Sequence, residues 1–262
     1  NLPLSIPSLD NLQFKSNLNG IQDIARKIIK RYHCPAAGHQ GLIQTIVQDT
    51  KSFDQPASLT QRIQDEVMTF LLSSHVSTSI ALSWTWHLLA QHPEARLKLQ
   101  QEASSVLKNG TLSVAELSQL MFTEQVIYES LRLYPPIWLT IRRALKDDEI
   151  SGYAIPAGTT ILVSRYVIHR HPEFWDDPDQ FKPERFSPEK RKTIHPFSFF
   201  PFGGGPRRCV GSHFAMLELK LIIAALASRF ELTLIPEYPV EINPLISLTP
   251  RRSLKMKLTR IS

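Results

Sequence analysis

Two cysteines in 262 residues leave no material for a disulfide framework or a multi-cysteine zinc or iron–sulfur centre. Glycine is also scarce. The ten present are about half the usual share, yet four of them fall at Gly203, Gly204, Gly205 and Gly211. One sign of charge barely dominates, with 30 Lys+Arg against 24 Asp+Glu for a net +6. The denser basic spots, Arg26–Arg31, Lys190–Lys192 and Arg251–Arg260, lie far apart and carry no aromatic platform, which argues against nucleic-acid binding. Solvated faces are the better reading, with docking of an acidic protein as a second. The one long charge-free run, Val67–Ala90, could cross a bilayer by length. Ten of its 24 residues are Ser, Thr or His, which is expensive in hydrocarbon. A helix buried in a folded protein fits better.

The rest of the composition, 42% hydrophobic and 21% charged, suits a folded domain with a sizeable core and excludes disorder or a coiled coil. Apolar periodicity predicts helices over Leu12–His33, Leu42–Val47, Thr60–Gln91, Glu94–Leu107, Ser113–Gln119 and Glu124–Leu133. His92-Pro93, Asn109-Gly110 and Tyr134-Pro135-Pro136 supply stop signals. Short strands are expected at Asp148–Tyr153 and Thr159–Val163 around the turn Pro156-Ala157-Gly158. A proline-punctuated meander runs from Pro172 to Pro201. A helix follows Cys209 as far as Phe230, with Phe214, Leu217, Leu221, Ala224 and Ala225 on one face. The alternation of Leu254, Met256 and Leu258 reads as a closing strand. The fold class is mainly α with small β elements.

Residues 202–211 read FGGGPRRCVG. Glycines permit tight turns and close approach of backbone to a flat ligand. Cys209, beside Arg207 and at the start of a helix, is biased toward thiolate, the form that ligates metal. A lone thiolate cannot hold a metal ion unaided, but it can be the single protein ligand of a haem iron. Two plainer readings compete: a buried free cysteine acting as a small hydrophobe, and a glycine-rich anion loop. The second lacks the Lys-Ser/Thr ending of a P-loop. Cys34 reads as a helix-end thiol without a role.

At these residues the sequence resembles the cytochrome P450 family. Its pattern Phe-Gly-x-Gly-x-Arg-x-Cys-x-Gly is matched by Phe202, Gly203, Gly205, Arg207, Cys209 and Gly211. The resemblance implies that Cys209 is the metal ligand of a haem b, thiolate-ligated iron protoporphyrin IX. It implies that Arg207 pairs with a haem propionate and that Phe202 packs near the sulfur. Glu129 and Arg132, three apart on one expected helix, and Arg185 in Pro183-Glu184-Arg185-Phe186 would form a buried structural triad behind the haem. Arg142, one residue from Arg143, matches a second propionate-binding position.

The charge-free helix corresponds to the one that crosses over the haem, where the family usually has Ala/Gly-Gly-x-Asp/Glu-Thr-Thr. Here the stretch is Ser73-Ser74-His75-Val76-Ser77-Thr78, with valine at the acid position and serine at the alcohol position. Ser77 and Thr78, with water, are the candidate catalytic relay. His75 occupies the variable position. Residues placed to touch substrate, each equally at home as core packing, are Phe70, Ser74, Ser77, Ile137–Thr140 and Ile246–Ser247.

Three functions stay open. One is a monooxygenase inserting one oxygen atom from dioxygen into a small hydrophobic organic substrate, with electrons from a ferredoxin or flavoprotein reductase. Another is a haem-thiolate enzyme that uses peroxide or rearranges an oxygenated lipid. The third is a non-catalytic haem-binding remnant. The resemblance runs from about Leu12 to the end and covers the C-terminal part of one P450 domain. With residue 1 an asparagine, the chain reads as a piece of something longer that holds haem weakly or not at all on its own. The substrate, the redox partner and the compartment are not legible. A bacterial source would imply the cytoplasm, and a preceding segment could carry a membrane anchor.

Overall fold

The computed structural model describes residues 8–32, 41, 45, 56–107 and 113–261. Cys34, the Asn109-Gly110 stop and, Thr45 apart, the short helix expected over Leu42–Val47 lie outside them. Eight α-helices and eight short strands are present among the described residues. The helices are α1 (Leu9–Tyr32), α2 (Pro56–Gln91), α3 (Pro93–Val106), α4 (Val114–Leu117), α5 (Met121–Leu133), α6 (Arg165–Ile168), α7 (Pro188–Arg191) and α8 (Ser212–Ala227). Two 3₁₀ turns, Pro183–Phe186 and Gly205–Arg207, punctuate the later loops. No helix of the described residues is long and apolar enough to cross a membrane.

The chain divides into two compact units, Asn1–Val76 and Ser77–Ser262. In the first, Ala25, Ile63 and Val67 form a small core against which Ile29, Met68 and Phe70 pack. Phe70, read as a substrate contact or as core packing, is partly buried and packs against that core. The second unit has the large core, built where the second half of α2 meets α3, α5 and α8. Leu89, Leu99, Leu120, Val126, Ile127 and Ile223 are fully buried there.

The 36-residue α2 accommodates several of its hydroxyls by turning them back on its own helix. Thr69 donates to Asp65 O at 2.8 Å, Ser73 to Thr69 O at 2.6 Å, Ser83 to Ser79 O at 2.8 Å and Thr85 to Ala81 O at 2.8 Å. Pro93 then opens α3 at a position where its missing N–H costs nothing. Ser113 and Glu116 make a capping box that starts α4. The start of α5 has no side-chain cap of its own. Instead Glu102 of α3 accepts from the backbone N–H of Phe122 at 2.7 Å and of Thr123 at 2.8 Å. A carboxylate at that end also complements the helix dipole.

The β component differs from expectation. Asp148–Ile150 (β2) pairs antiparallel with Tyr153–Ile155 (β3) across a turn in which Ser151 and Gly152 have φ of 51° and 85°. Tyr153 therefore begins the return strand, because Ser-Gly is itself a hairpin turn. Thr160–Ser164 (β4) pairs instead with Leu139–Arg143 (β1), with Arg142 opposite Ile161. Phe230–Leu234 (β5) pairs with the closing strand Met256–Arg260 (β8). A last small pair joins Ile242–Pro244 (β6) to Leu248–Pro250 (β7).

The helix after Cys209 ends at Ala227, three residues before Phe230, since β5 claims that residue. Its buried side is Leu219, Lys220, Ile223, Ala224 and Ala227. Phe214 and Leu221 of the expected face are exposed. The helix is apolar nearly all round, so periodicity alone could not choose its inner side.

Candidate functional site

Cys209 lies on a loop that the backbone closes upon itself. Its N–H donates to Phe202 O at 2.9 Å, the Gly203 N–H donates to Phe200 O at 2.9 Å, and the Arg208 N–H donates to Gly205 O at 3.1 Å. Gly203 and Gly205 hold φ of 77° and 66°, the left-handed region that L side chains disfavour. Gly211, just before α8, is near enough that a Cβ on it would lie 3.9 Å from Cys209 Sγ. Phe202 packs against the large core. The loop is thus pinned inward at Phe202 and turned outward at Cys209, whose thiol is free and exposed. Arg207, Arg208 and Val210 are exposed beside it.

Gly203 is the tighter of the two turn glycines. A Cβ there would meet Arg165 Nη2 at 3.2 Å on top of the positive φ. Gly203→Ala is expected to cost about 1–2 kcal/mol from the backbone conformation alone. Urea unfolding compared with Gly20→Ala, an open helical site, would show the difference; equal midpoints would contradict it.

Behind the loop, α5 places Glu129 and Arg132 on one face, both completely buried. Arg132 Nε donates to Glu129 Oε2 at 2.7 Å and Nη2 to Oε1 at 2.8 Å, a bidentate fork. The other three donors of the guanidinium reach the carbonyls of His169 at 2.9 Å, Pro178 at 2.6 Å and Gln180 at 3.0 Å. All five are used, which is the condition for burying such a charge. Glu129 Oε1 also accepts from the Lys182 N–H at 2.8 Å. Arg185 Nε stands 3.4 Å from the same oxygen without hydrogen-bond geometry, and its Nη2 donates to Asp177 O at 2.9 Å. The three residues therefore meet, with Arg132 tied to the meander by its carbonyls and Arg185 held at its edge.

Two residues that sequence reasoning passed over complete the framework. Arg165, at the end of the β1–β4 pair, is buried; its Nη1 donates to Ile137 O at 2.8 Å and its Nε to Phe200 O at 3.1 Å. Burial, and then Arg142 nearby, depress its pKa. His169 has no exposed surface, and its Nε2 accepts from the Phe200 N–H at 3.0 Å. Burial first, then the charges of Arg165 and Arg132, lower its pKa to about 3. It is neutral at physiological pH, with the proton on Nδ1. Both residues act through backbone atoms of distant segments, and no spacing motif announces such contacts.

On α2, Thr78 is buried and donates to Glu218 Oε2 of α8 at 3.1 Å. Its hydroxyl proton is therefore engaged with a carboxylate. Ser77 is half-buried; Val76 is 46% exposed and His75 exposed. Ser74 donates to Leu71 O at 3.4 Å within the first unit. Arg142 is exposed, its Nη1 bonded to the Ile141 carbonyl at 2.9 Å. Its charge acts on Arg165, whereas Arg143 lies against Gly158. The segment after Pro136 and the final turn are joined, since Trp138 Nε1 donates to Leu245 O at 2.8 Å and the Leu248 N–H to Pro136 O at 2.9 Å. Ile246, at 93% exposure, projects from that turn.

The donor set fits a haem better than a bare ion. Among the described residues no group of three or more His, Cys, Asp or Glu could hold a metal. A single outward thiol suits an iron whose other positions a macrocycle fills. Apolar surface lies beside it: Val210 is 86% exposed and Phe214 64%. Such surface suits a flat hydrophobic ring.

The chain matches the Cytochrome P450 family model over residues 4–258. It is 34% identical to cyclooctatin synthase of Streptomyces melanosporofaciens, over 93% of this chain and 53% of that protein. Pentalenene oxygenase of Streptomyces avermitilis is 30% identical over 97% of this chain and 56% of its own length. A cytochrome P450 crystal structure, CYP102L1, superposes with a TM-score of 0.82 at 25% identity, covering 97% of this chain and 58% of that one. The chain spans about half the length of the curated relatives it matches. Family match, relatives and fold agree with the thiol loop, and the chain belongs to the cytochrome P450 family.

Proposed function

We propose that this chain supplies the thiolate side of a monooxygenase that inserts one oxygen atom from dioxygen into a small hydrophobic organic substrate. The observation that carries this reading is the outward thiol of Cys209 on a loop closed by its own backbone bonds and pinned inward at Phe202. Haem b, when bound, supplies the oxygen chemistry. Cys209 would be its ligand. Gly203, Gly205 and Gly211 would let the ring approach the backbone, with Phe202 closing the loop behind the sulfur. Arg207 and Arg142 would pair with the propionates; that Arg142 shares a field with Arg165, which itself holds Phe200, favours it over Arg143.

Ser77 is the hydroxyl we assign to proton delivery, with water as its partner, since Val76 can neither give nor pass a proton. Thr78, the other relay candidate, supports it by fixing the helix register against Glu218. Ser77→Ala is expected to lower the product formed per NAD(P)H consumed by roughly 100-fold, the lower end of the range for general acid–base groups. Unchanged coupling would remove Ser77 from the relay.

A ferredoxin or flavoprotein would be the electron donor. A cleft of about 500 Å³ beside the loop is lined by Glu124, Arg191, Arg208, His213 and Lys220. Arg191 and Lys220 both pair with Glu124 there, while Arg208, with Arg207 next to it, stands exposed at the loop, and these cations suit an acidic protein partner. The valine at position 76 favours a second reading, a haem-thiolate enzyme that uses peroxide or rearranges an oxygenated lipid. Product formation with reductase and NAD(P)H, and separately with peroxide, distinguishes them. A hemin titration, with Cys209→Ser as control, tests the shared premise: however small the fraction of the chain that takes up haem, the thiolate-type Soret band of its carbon monoxide complex is expected to be lost in the variant. An identical band in both proteins would remove Cys209 as ligand.

A further inference from the structure

We infer that His169 is a positioning residue that links the buried Glu129–Arg132 pair to the Cys209 loop. The inference rests on the proposed role of Cys209 as haem ligand. The connection is continuous. Arg132 Nη1 holds the His169 carbonyl at 2.9 Å, and the same residue's Nε2 receives the Phe200 N–H at 3.0 Å. The Phe200 carbonyl then receives the Gly203 N–H at 2.9 Å and Arg165 Nε at 3.1 Å. Two residues on, the Phe202 carbonyl receives the Cys209 N–H at 2.9 Å. His169 is the one side chain in this series that bonds α5's arginine with its backbone and the loop with its ring.

Two aromatic rings flank the imidazole, Phe200 edge-on at 5.3 Å and Phe199 tilted at 5.2 Å. The Phe200 N–H on Nε2 orients it, since Nδ1 has no hydrogen-bond partner among the described residues. Arg165 and Arg132 both raise the cost of protonating it, so Nε2 stays an acceptor. An imidazolium would present a donor to the Phe200 N–H, and the link would be broken. Neutral imidazole in a fixed tautomer is thus the state the loop requires.

Two amide replacements that differ by one methylene separate this role from general stability. In His169→Gln the side-chain oxygen can reach the place of Nε2; in His169→Asn it falls short, near the place of Nδ1. Hydrogen exchange needs no haem, so its outcome is independent of whether Cys209 ligates iron. For His169→Asn, amides of segment 200–209 are expected to exchange about tenfold faster than in the unsubstituted chain, the scale of one lost hydrogen bond. Those of α5 (Met121–Leu133) should be little changed. His169→Gln should restore the loop's protection. With Cys34 replaced by serine throughout, alkylation of Cys209 should follow the same order. Equal exchange of 200–209 in both variants, or acceleration of loop and α5 by the same factor, would overturn the inference. An unfolded His169→Asn beside a folded His169→Gln with an unprotected loop would overturn it too.

Discussion

Replacing Glu129 with alanine is expected to destabilise the second unit by about 3–5 kcal/mol, the usual cost of stranding one member of a buried ion pair. Arg132 would keep its three carbonyl bonds but lose both acceptors for Nε and one Nη2 hydrogen. The Lys182 N–H would lose Glu129 Oε1 as its acceptor in the same step. Domains are held by about 5–15 kcal/mol in total, so this single change removes a large share. The exposed pair Lys98–Glu184, at 3.1 Å, is the comparison. Glu184→Ala should cost about 0–1 kcal/mol, because exposed pairs are screened and mobile. Urea unfolding of the two variants measures the contrast, and similar midpoints would contradict the burial argument.

Acidification should expose the neutral histidine. In the folded chain His169 titrates at about 3, against the ordinary 6.5. Below pH 6.5 the unfolded chain therefore binds a proton that the folded chain refuses. The contribution of His169 is complete above pH 6.5 and is lost progressively down to about pH 3. Between neutrality and pH 5 the expected loss is about 2 kcal/mol. His87, also lowered by burial and by His92, pulls in the same direction. His169→Gln removes one titration and leaves the other, so its stability should decline less steeply with falling pH. Unfolding midpoints at pH 7, 6 and 5 for both proteins decide this; parallel slopes would refute it.

The sequence made legible whatever rests on local pattern. The body of α2 followed from the charge-free run and its stop from His92-Pro93, while its start lies four residues before the expected Thr60, at Pro56; α5 followed from its apolar spacing. The loop around Cys209 was visible because glycines, arginine and cysteine sit within ten residues. The strand partners of β2 and β4 were not, since a Ser-Gly turn competes with the later Pro-Ala-Gly turn and pairing depends on both. The inner face of α8 was hidden by apolar residues on every side. Arg165 and His169 were invisible for a different reason. Their partners are backbone carbonyls and amides, which every residue possesses and no pattern marks. Thr78 showed the reverse case, a hydroxyl assigned to chemistry by its place in a motif and found bonded to Glu218.

The start of α5 has a bearing on how the molecule assembles. Its first turn has no cap within its own segment, and the acceptors it needs belong to Glu102, 20 and 21 residues earlier in the chain. The helix that bears Glu129 and Arg132 is therefore incomplete as an isolated segment. It is finished only when α3 has formed and docked. Secondary structure and docking become one event there, so intermediates with α5 formed but unpacked gain little. Such coupling favours an all-or-none transition in this part of the chain.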